Sequence, residues 1–260
     1  PFSTLGAIGP MARTVADLTL LFDVLSGQDM TDPAGAPVEL RSPSTEDLKQ
    51  IPIGWFEDDG LTPVTSETRR AVCDAVTALQ RQGFRVRPFR PRFLEQARRL
   101  WWIFFVQCGA MFYRPTIRGH EQELSPTFLD FLEIEAAEEL LTAEALLKAW
   151  AELDQVRRKL LTEMQQFPLL LCPACAIPAF RHGEREWTVE GTSLRYLDAM
   201  RYTQWFNVLG SPAAVVPVGR SPEGLPIGVQ IAGRPFEDEL VLAVAGAIDR
   251  EFGYQRPKVC

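Results

Sequence analysis

The chain has 260 residues, enough to bury roughly 70–75% of the surface its unfolded form exposes, so its core needs neither disulfides nor metals. Its 34 acidic against 27 basic residues give a formal charge of −7, which argues against a nucleic-acid surface, and 46% hydrophobic content is that of an ordinary globular protein. The five cysteines, at 73, 108, 172, 175 and 260, do not form a secreted disulfide framework; they fit reduced thiols and a cytoplasmic setting.

In chain order, Thr14 is a natural N-cap for a helix over about 14–26, with Val15, Leu18, Phe22 and Leu25 on one stripe and Gly27 as its stop. Residues 28–50, rich in Pro, Asp, Ser and Thr, read as a long surface connector. A strand at 51–55, a helix capped by Thr65 and stopped by Gly83, and a strand at 84–89 make a βαβ unit, the mark of a parallel or mixed sheet. Arg85, Arg87, Arg90 and Arg92 read as a solvated basic face.

Residues 93–166 read as mostly helical, with a break near 114–119 and a long helix capped by Thr142, in which Leu146, Trp150, Leu153, Val156, Leu160 and Met164 step by three or four. The apolar run 100–113 is too short for the ~20 residues of a membrane span and reads as a buried helix, with a pocket wall or membrane-touching lid as the alternative. Residues 167–178 form a short buried strand and a proline-rich loop, and residues 193–209 look helical.

The run 206–219 then leads into a β-branched strand over Ala213 to Val218. Turn residues follow at 220–224, and Ile227, Val229 and Ile231 alternate in a second strand. Leu240, Val241, Val244, Ile248 and Phe252 recur at helical spacing behind the acidic turn Glu237, Asp238 and Glu239, and Gly253 takes the C′ place.

Local candidates for chemistry are weak. Cys172 and Cys175 have redox spacing, but Pro173 and Pro178 flank them and no helix follows, so a structural or pocket-lining role is the better reading. With only His120 and His182 elsewhere, the pair is thin for zinc. His182 sits in a polar turn at 180–186, and Pro212 replaces the glycine a nucleophile elbow needs after Ser211. The adjacent pairs Asp58, Asp59 and Glu138, Glu139 read as solvated charge. The expectation is no catalytic residue, no metal site and no cofactor site within this chain.

The closing hairpin and helix, with the residues 206–219 and 224–234, resemble the C-terminal end of an amidase-signature hydrolase. The opening segment 8–17 is similar to the one that follows the family's glycine- and serine-rich catalytic stretch. The likeness runs to about Gly253 and is weakest in the middle. No Gly-Gly-Ser-Ser-Gly-Gly type run is present, and the chain opens on Pro1, so it reads as a fragment lacking the family's lysine and two serines.

The resemblance implies an incomplete amidase-signature α/β fold: a mixed, mostly parallel twisted sheet flanked by helices. Residues 1–260 would be the C-terminal part of a single domain, with 92–166 as a helical insertion that either walls a pocket or serves as scaffold. It also implies amide hydrolysis in the intact parent, by a lysine acting through a bridging serine on a nucleophilic serine, with this portion inactive alone.

Carried over from the family's pattern, the substrate-pocket candidates are Pro173, Ala174, Cys175, Asn207 and Gly210. Trp205 stands where the family often has proline. The implied partner is a small-molecule amide, without nucleic acid or membrane span, and with homo-oligomerisation possible. Two alternatives stay open: a non-catalytic truncated relative that binds a ligand or partner, and a glutaminase-like subunit of a tRNA amidotransferase.

Overall fold

The computed structural model describes residues 6–7, 9–28, 37–136 and 139–254. Its frame is a five-stranded sheet in the order β2-β1-β3-β7-β6, where β1 is Ile53–Trp55, β2 Val86–Pro88, β3 Leu169–Pro173, β6 Ala213–Arg220 and β7 Pro226–Gly233. β1 pairs in parallel with β2 and β3, and β7 pairs antiparallel with β3 and β6. Every strand but β7 therefore points the same way, the mixed and mostly parallel sheet expected from the sequence. A separate hairpin joins β4, Glu186–Val189, to β5, Thr192–Arg195.

Helices cover both faces. α1 (Val15–Leu25), α2 (Thr45–Gln50), α3 (Ser66–Arg81) and α10 (Asp238–Phe252) lie on one side. α4 (Leu94–Trp101), a π-helical stretch at Trp102–Gln107, α7 (Ala143–Glu163) and α9 (Arg201–Leu209) lie on the other. α5 (Cys108–Ile117) continues the π-helix, α6 (Pro126–Ala136) follows, and the short α8 (Tyr196–Ala199) leads into α9. The strand period of two divides β3 between the layers: Leu169 and Leu171 face the α3 and α10 core, Leu170 and Cys172 the α4, α7 and α9 core. Buried on both faces, β3 is apolar along its whole length, as such strands are.

The helix signals hold where caps were visible. Thr14, Thr65 and Thr142 each accept a hydrogen bond from the backbone N–H three residues on. Other readings change. The connector 28–50 contains α2, capped by Ser44, while residues 29–36 lie outside the described residues. Residues 193–195, read as the start of a helix, instead belong to β5. A tight turn drives that pairing, because Glu190 (φ 49°) and Gly191 (φ 79°) both take positive φ, the geometry that matches the twist of a two-residue hairpin. Arg85, Arg87, Arg90 and Arg92 are exposed as read, and Arg90 and Arg92 also reach Asp58 and Glu163 at 3.5 and 2.6 Å. Among the described residues no helix is long and apolar enough to cross a membrane.

Candidate functional site

β1 and β3 end side by side, and the loops that leave their carboxyl ends are stitched to the start of α9. Thr65 N donates to Ala176 O at 2.9 Å, and Ala176 N donates to Ala199 O at 2.8 Å. The Cys175 thiol donates to the same Ala199 carbonyl at 3.2 Å and lies 3.6 Å from the Met200 sulfur. Gln230, buried on β7, donates its amide to Tyr202 O at 3.0 Å and lies 3.5 Å from Pro173 O, which ties α9 to the end of β3.

Below this junction sits a buried polar bracket that local sequence reading misses. Arg201 Nη1 donates to Thr62 Oγ1 at 2.7 Å and Nη2 to Glu95 Oε2 at 2.5 Å. Arg201 Nε stands 2.6 Å from Asp59 Oδ2, with side chains only 6% and 2% exposed. That last approach is off the hydrogen-bond axis and is a Coulombic pair. Asp59 Oδ1 accepts the N–H groups of Leu61 and Thr62 at 3.0 and 2.8 Å, and the Tyr202 hydroxyl accepts from Asp59 N at 3.2 Å and donates to Thr62 O at 3.3 Å. Asp59 is therefore not the solvated charge its neighbourhood suggests.

The five pocket candidates do not form one cluster. Pro173, Ala174 and Cys175 lie at the carboxyl end of β3, where Pro173 pairs with Val229. Asn207 and Gly210 lie at the far end of α9, whose nine residues rise about 13 Å. There Gly210 closes the helix in the left-handed conformation, and Pro212 O accepts from Gly233, which pairs with Leu169 at the opposite end of β3.

Ala174 opens instead toward β6. A Cβ built on Gly228 would stand 2.6 Å from Val215 Cγ1 and 3.8 Å from Ala174 Cβ, so these residues share one patch. Along β6, Ala214 and Val216 are buried against the α3 and α10 core, while Ala213, Val215 and Pro217 are exposed.

Chemically, the thiols are quiet. Burial pushes Cys175 up to about 11 and Cys172 up to about 12, so both are protonated and poorly nucleophilic at neutral pH. His182 is exposed on its turn, and the exposed His120 contacts Glu123 at 2.9 Å. Burial, helped by the Asp59 charge, also lifts the Tyr202 phenol above its ordinary value. Among the described residues no group of three or more His, Cys, Asp or Glu is placed to hold a metal ion.

The helical stretch between β2 and β3 borders a cleft. Two adjoining cavities of about 480 and 590 Å³ lie between it and the β5 to α8 segment, lined by Trp102, Ile103, Phe128, Phe131, Tyr196 and Leu197 among others.

Comparison with known proteins fits this architecture. An acylamidase of Rhodococcus erythropolis is 30% identical over 244 residues, which cover 91% of this chain and 50% of the relative. A glutamyl-tRNA(Gln) amidotransferase subunit from Thermodesulfovibrio yellowstonii is 26% identical, over 98% of this chain and 57% of its own length. A crystal structure of an amidase superposes with a TM-score of 0.75 at 24% identity, covering 94% of this chain and 52% of that one, a likeness of fold. The chain thus spans about half the length of the curated relatives it matches. The family model described as Amidase matches residues 2–242, and the chain belongs to the amidase family.

Proposed function

We propose that this chain is the rear half of an enzyme that hydrolyses carbon–nitrogen amide bonds, supplying the sheet and one wall of the acyl pocket while the reactive groups come from the rest of the polypeptide. In the mechanism the family resemblance implies, a lysine acting through a bridging serine takes the proton of a second serine, whose oxygen attacks the amide carbonyl. Backbone N–H groups hold the oxyanion, the protonated amine leaves, and water releases the acid. Residues 1–260 would be the C-terminal part of one α/β domain, with 92–166 as a helical insertion.

The observation that carries this reading is the bare face of β6 beside Ala174. Val215 is 51% exposed at the carboxyl-end side of β3, and open α/β sheets bind their ligands outside the carboxyl ends of their strands. A further layer stacked there would set its reactive groups against Pro173, Ala174 and Cys175. Asn207 and Gly210 would brace that wall from the other end of α9. The protonated thiols and the half-length match support placing the nucleophile outside this chain. The described cysteines, all free, support a reducing cytoplasmic setting.

Purified as the 260-residue chain, the protein should release no ammonia from primary amides above blank, whereas the intact gene product turns them over. A stoichiometric acyl-enzyme burst from the chain alone would overturn the division of labour. Absence of amide and ester turnover by the intact product would overturn the amidase reading itself.

A further inference from the structure

Three segments meet at the carboxyl ends of β1 and β3, and each is bonded to the other two. The β1 loop holds the β3 loop where Thr65 N donates to Ala176 O at 2.9 Å. The β3 loop holds the α8 to α9 turn where Ala176 N donates to Ala199 O at 2.8 Å, with the Cys175 thiol as a second donor to that carbonyl at 3.2 Å. The buried bracket is the third side. Arg201, the first residue of α9, reaches Asp59 and Thr62 of the β1 loop at 2.6 and 2.7 Å, and the Tyr202 hydroxyl bonds the backbone of the same two residues.

A ring of three sides fixes the angle between any two of them. With the bracket opened, Ala199 would be free to shift with α9, and Cys175 and Ala176 would follow it. The chemistry of the bracket suits such an orienting task. A buried ion pair adds little net stability over apolar side chains that pack equally well, so its stability alone does not account for it. Direction does. The planar guanidinium sends separate donors to Thr62 and Glu95 while Nε faces Asp59, which a single ammonium on a flexible stem cannot do at once. Arg201 is itself buried, so it acts on the β3 loop through the Ala199 carbonyl rather than by touching a ligand.

We infer that Arg201 is a positioning residue: with Asp59 and Tyr202 it sets the placement of Ala174 and Cys175, and hence the fit of a substrate's acyl group against them. That this loop is an acyl wall rests on the amidase reading; the mechanical coupling does not.

Arg201→Lys and Tyr202→Phe test it in two arms, with Val244→Ala in α10 as a control that loosens the opposite core. In the 260-residue chain, both variants should quicken amide hydrogen exchange at Thr65 and Ala176 roughly tenfold, and by more than at the buried residues of α10. The control should quicken α10 and leave Thr65 and Ala176 within about twofold. In the intact gene product, Arg201→Lys should raise KM for a primary amide roughly fivefold and leave kcat within about twofold, because a displaced wall weakens substrate and transition state alike. Val244→Ala should move neither constant. Exchange at Thr65 and Ala176 that merely follows α10, or a KM unmoved by Arg201→Lys, would overturn the positioning role. An intact wild-type product without turnover would instead sink the amidase reading, and the exchange arm would still decide the coupling.

Discussion

Arg201→Met probes the buried bracket that fixes α9 over the ends of β1 and β3. Breaking a buried ion pair by removing one partner costs about 3–5 kcal/mol, because the other charge is left uncompensated. Here the residual charge is Asp59, 2% exposed in its side chain but still holding two backbone N–H groups, which places the loss at the lower end. The bond to Thr62 adds about 1 kcal/mol. The Glu95 arm adds less than about 1 kcal/mol, since that carboxylate is 51% exposed and screened. Arg201→Met should therefore lower stability by about 4–5 kcal/mol. Asp59→Asn should cost less, because Arg201 keeps Thr62 and Glu95. Urea unfolding followed by tryptophan fluorescence gives each value from the midpoint at unchanged slope. The double variant should be more stable than the sum of the two losses implies, by about 2 kcal/mol of coupling. A loss under about 1 kcal/mol for Arg201→Met, or additivity of the two substitutions within about 0.5 kcal/mol, would refute the argument that the pair acts as a unit.

Alkali should destabilise the fold. The Cys175 and Cys172 thiols are held protonated up to about 11 and about 12 against an ordinary 9.0, so their contribution is intact below pH 9 and is lost as pH climbs toward those values. The slope is about 1.4 kcal/mol per pH unit per thiol, and Cys175→Ala should flatten the fall in urea midpoint between pH 9 and 10.5; equal falls in both proteins would exclude the thiol as a cause. Gln230→Leu should cost about 0.5–1.5 kcal/mol by removing the side-chain bond to the carbonyl of Tyr202, and thermal melting would show it. Gly233→Ala should be destabilised by about 1–3 kcal/mol in the same melts, since the new methyl would stand 2.7 Å from Val241 Cγ2. Val215→Lys should leave the urea midpoint within about 0.5 kcal/mol yet reduce self-association in sedimentation, and unchanged association would argue that the β6 face is not sticky.

Local signals served best where one short segment decides the structure. Thr14, Thr65 and Thr142 announce helix starts because the cap bond spans three residues. The hairpin β6 to β7 and helix α10 follow from alternation and a 3.6 period. The β4 to β5 hairpin was missed. Glu190 and Gly191 sit between Trp187, Val189 and Leu194, but strands of four residues with polar partners give little pattern to weigh against a helix. The Arg201 bracket was beyond such reading. Thr62 and Arg201 are 139 positions apart, and only the tertiary fold converts an ordinary acidic pair into one buried carboxylate and one half-buried carboxylate paired with Arg69 and Arg90. The same holds for the pocket candidates, where α9 separates Asn207 and Gly210 from Cys175 along its own length.

The sequence of β6 nevertheless carries information that the described structure leaves unspent. Ala213 to Val218 is apolar without alternation, the pattern of a strand buried on both faces, as β3 is. Yet Ala214 and Val216 are buried in one core and Val218 packs partly against it, while Val215 is exposed on the edge strand of the sheet. α1 repeats the mismatch: it is apolar nearly all round, as buried helices are, but Leu20, Val24 and Leu25 are 65%, 75% and 67% exposed. Single exposed apolar residues need no explanation, whereas two elements patterned for full burial and covered on one side do. The physical requirement is a second layer against β6 and α1. The chain spans about half the length of the relative it matches at 30% identity, and in the reading proposed above the additional polypeptide is that layer and brings the nucleophile to the bare side of Ala174.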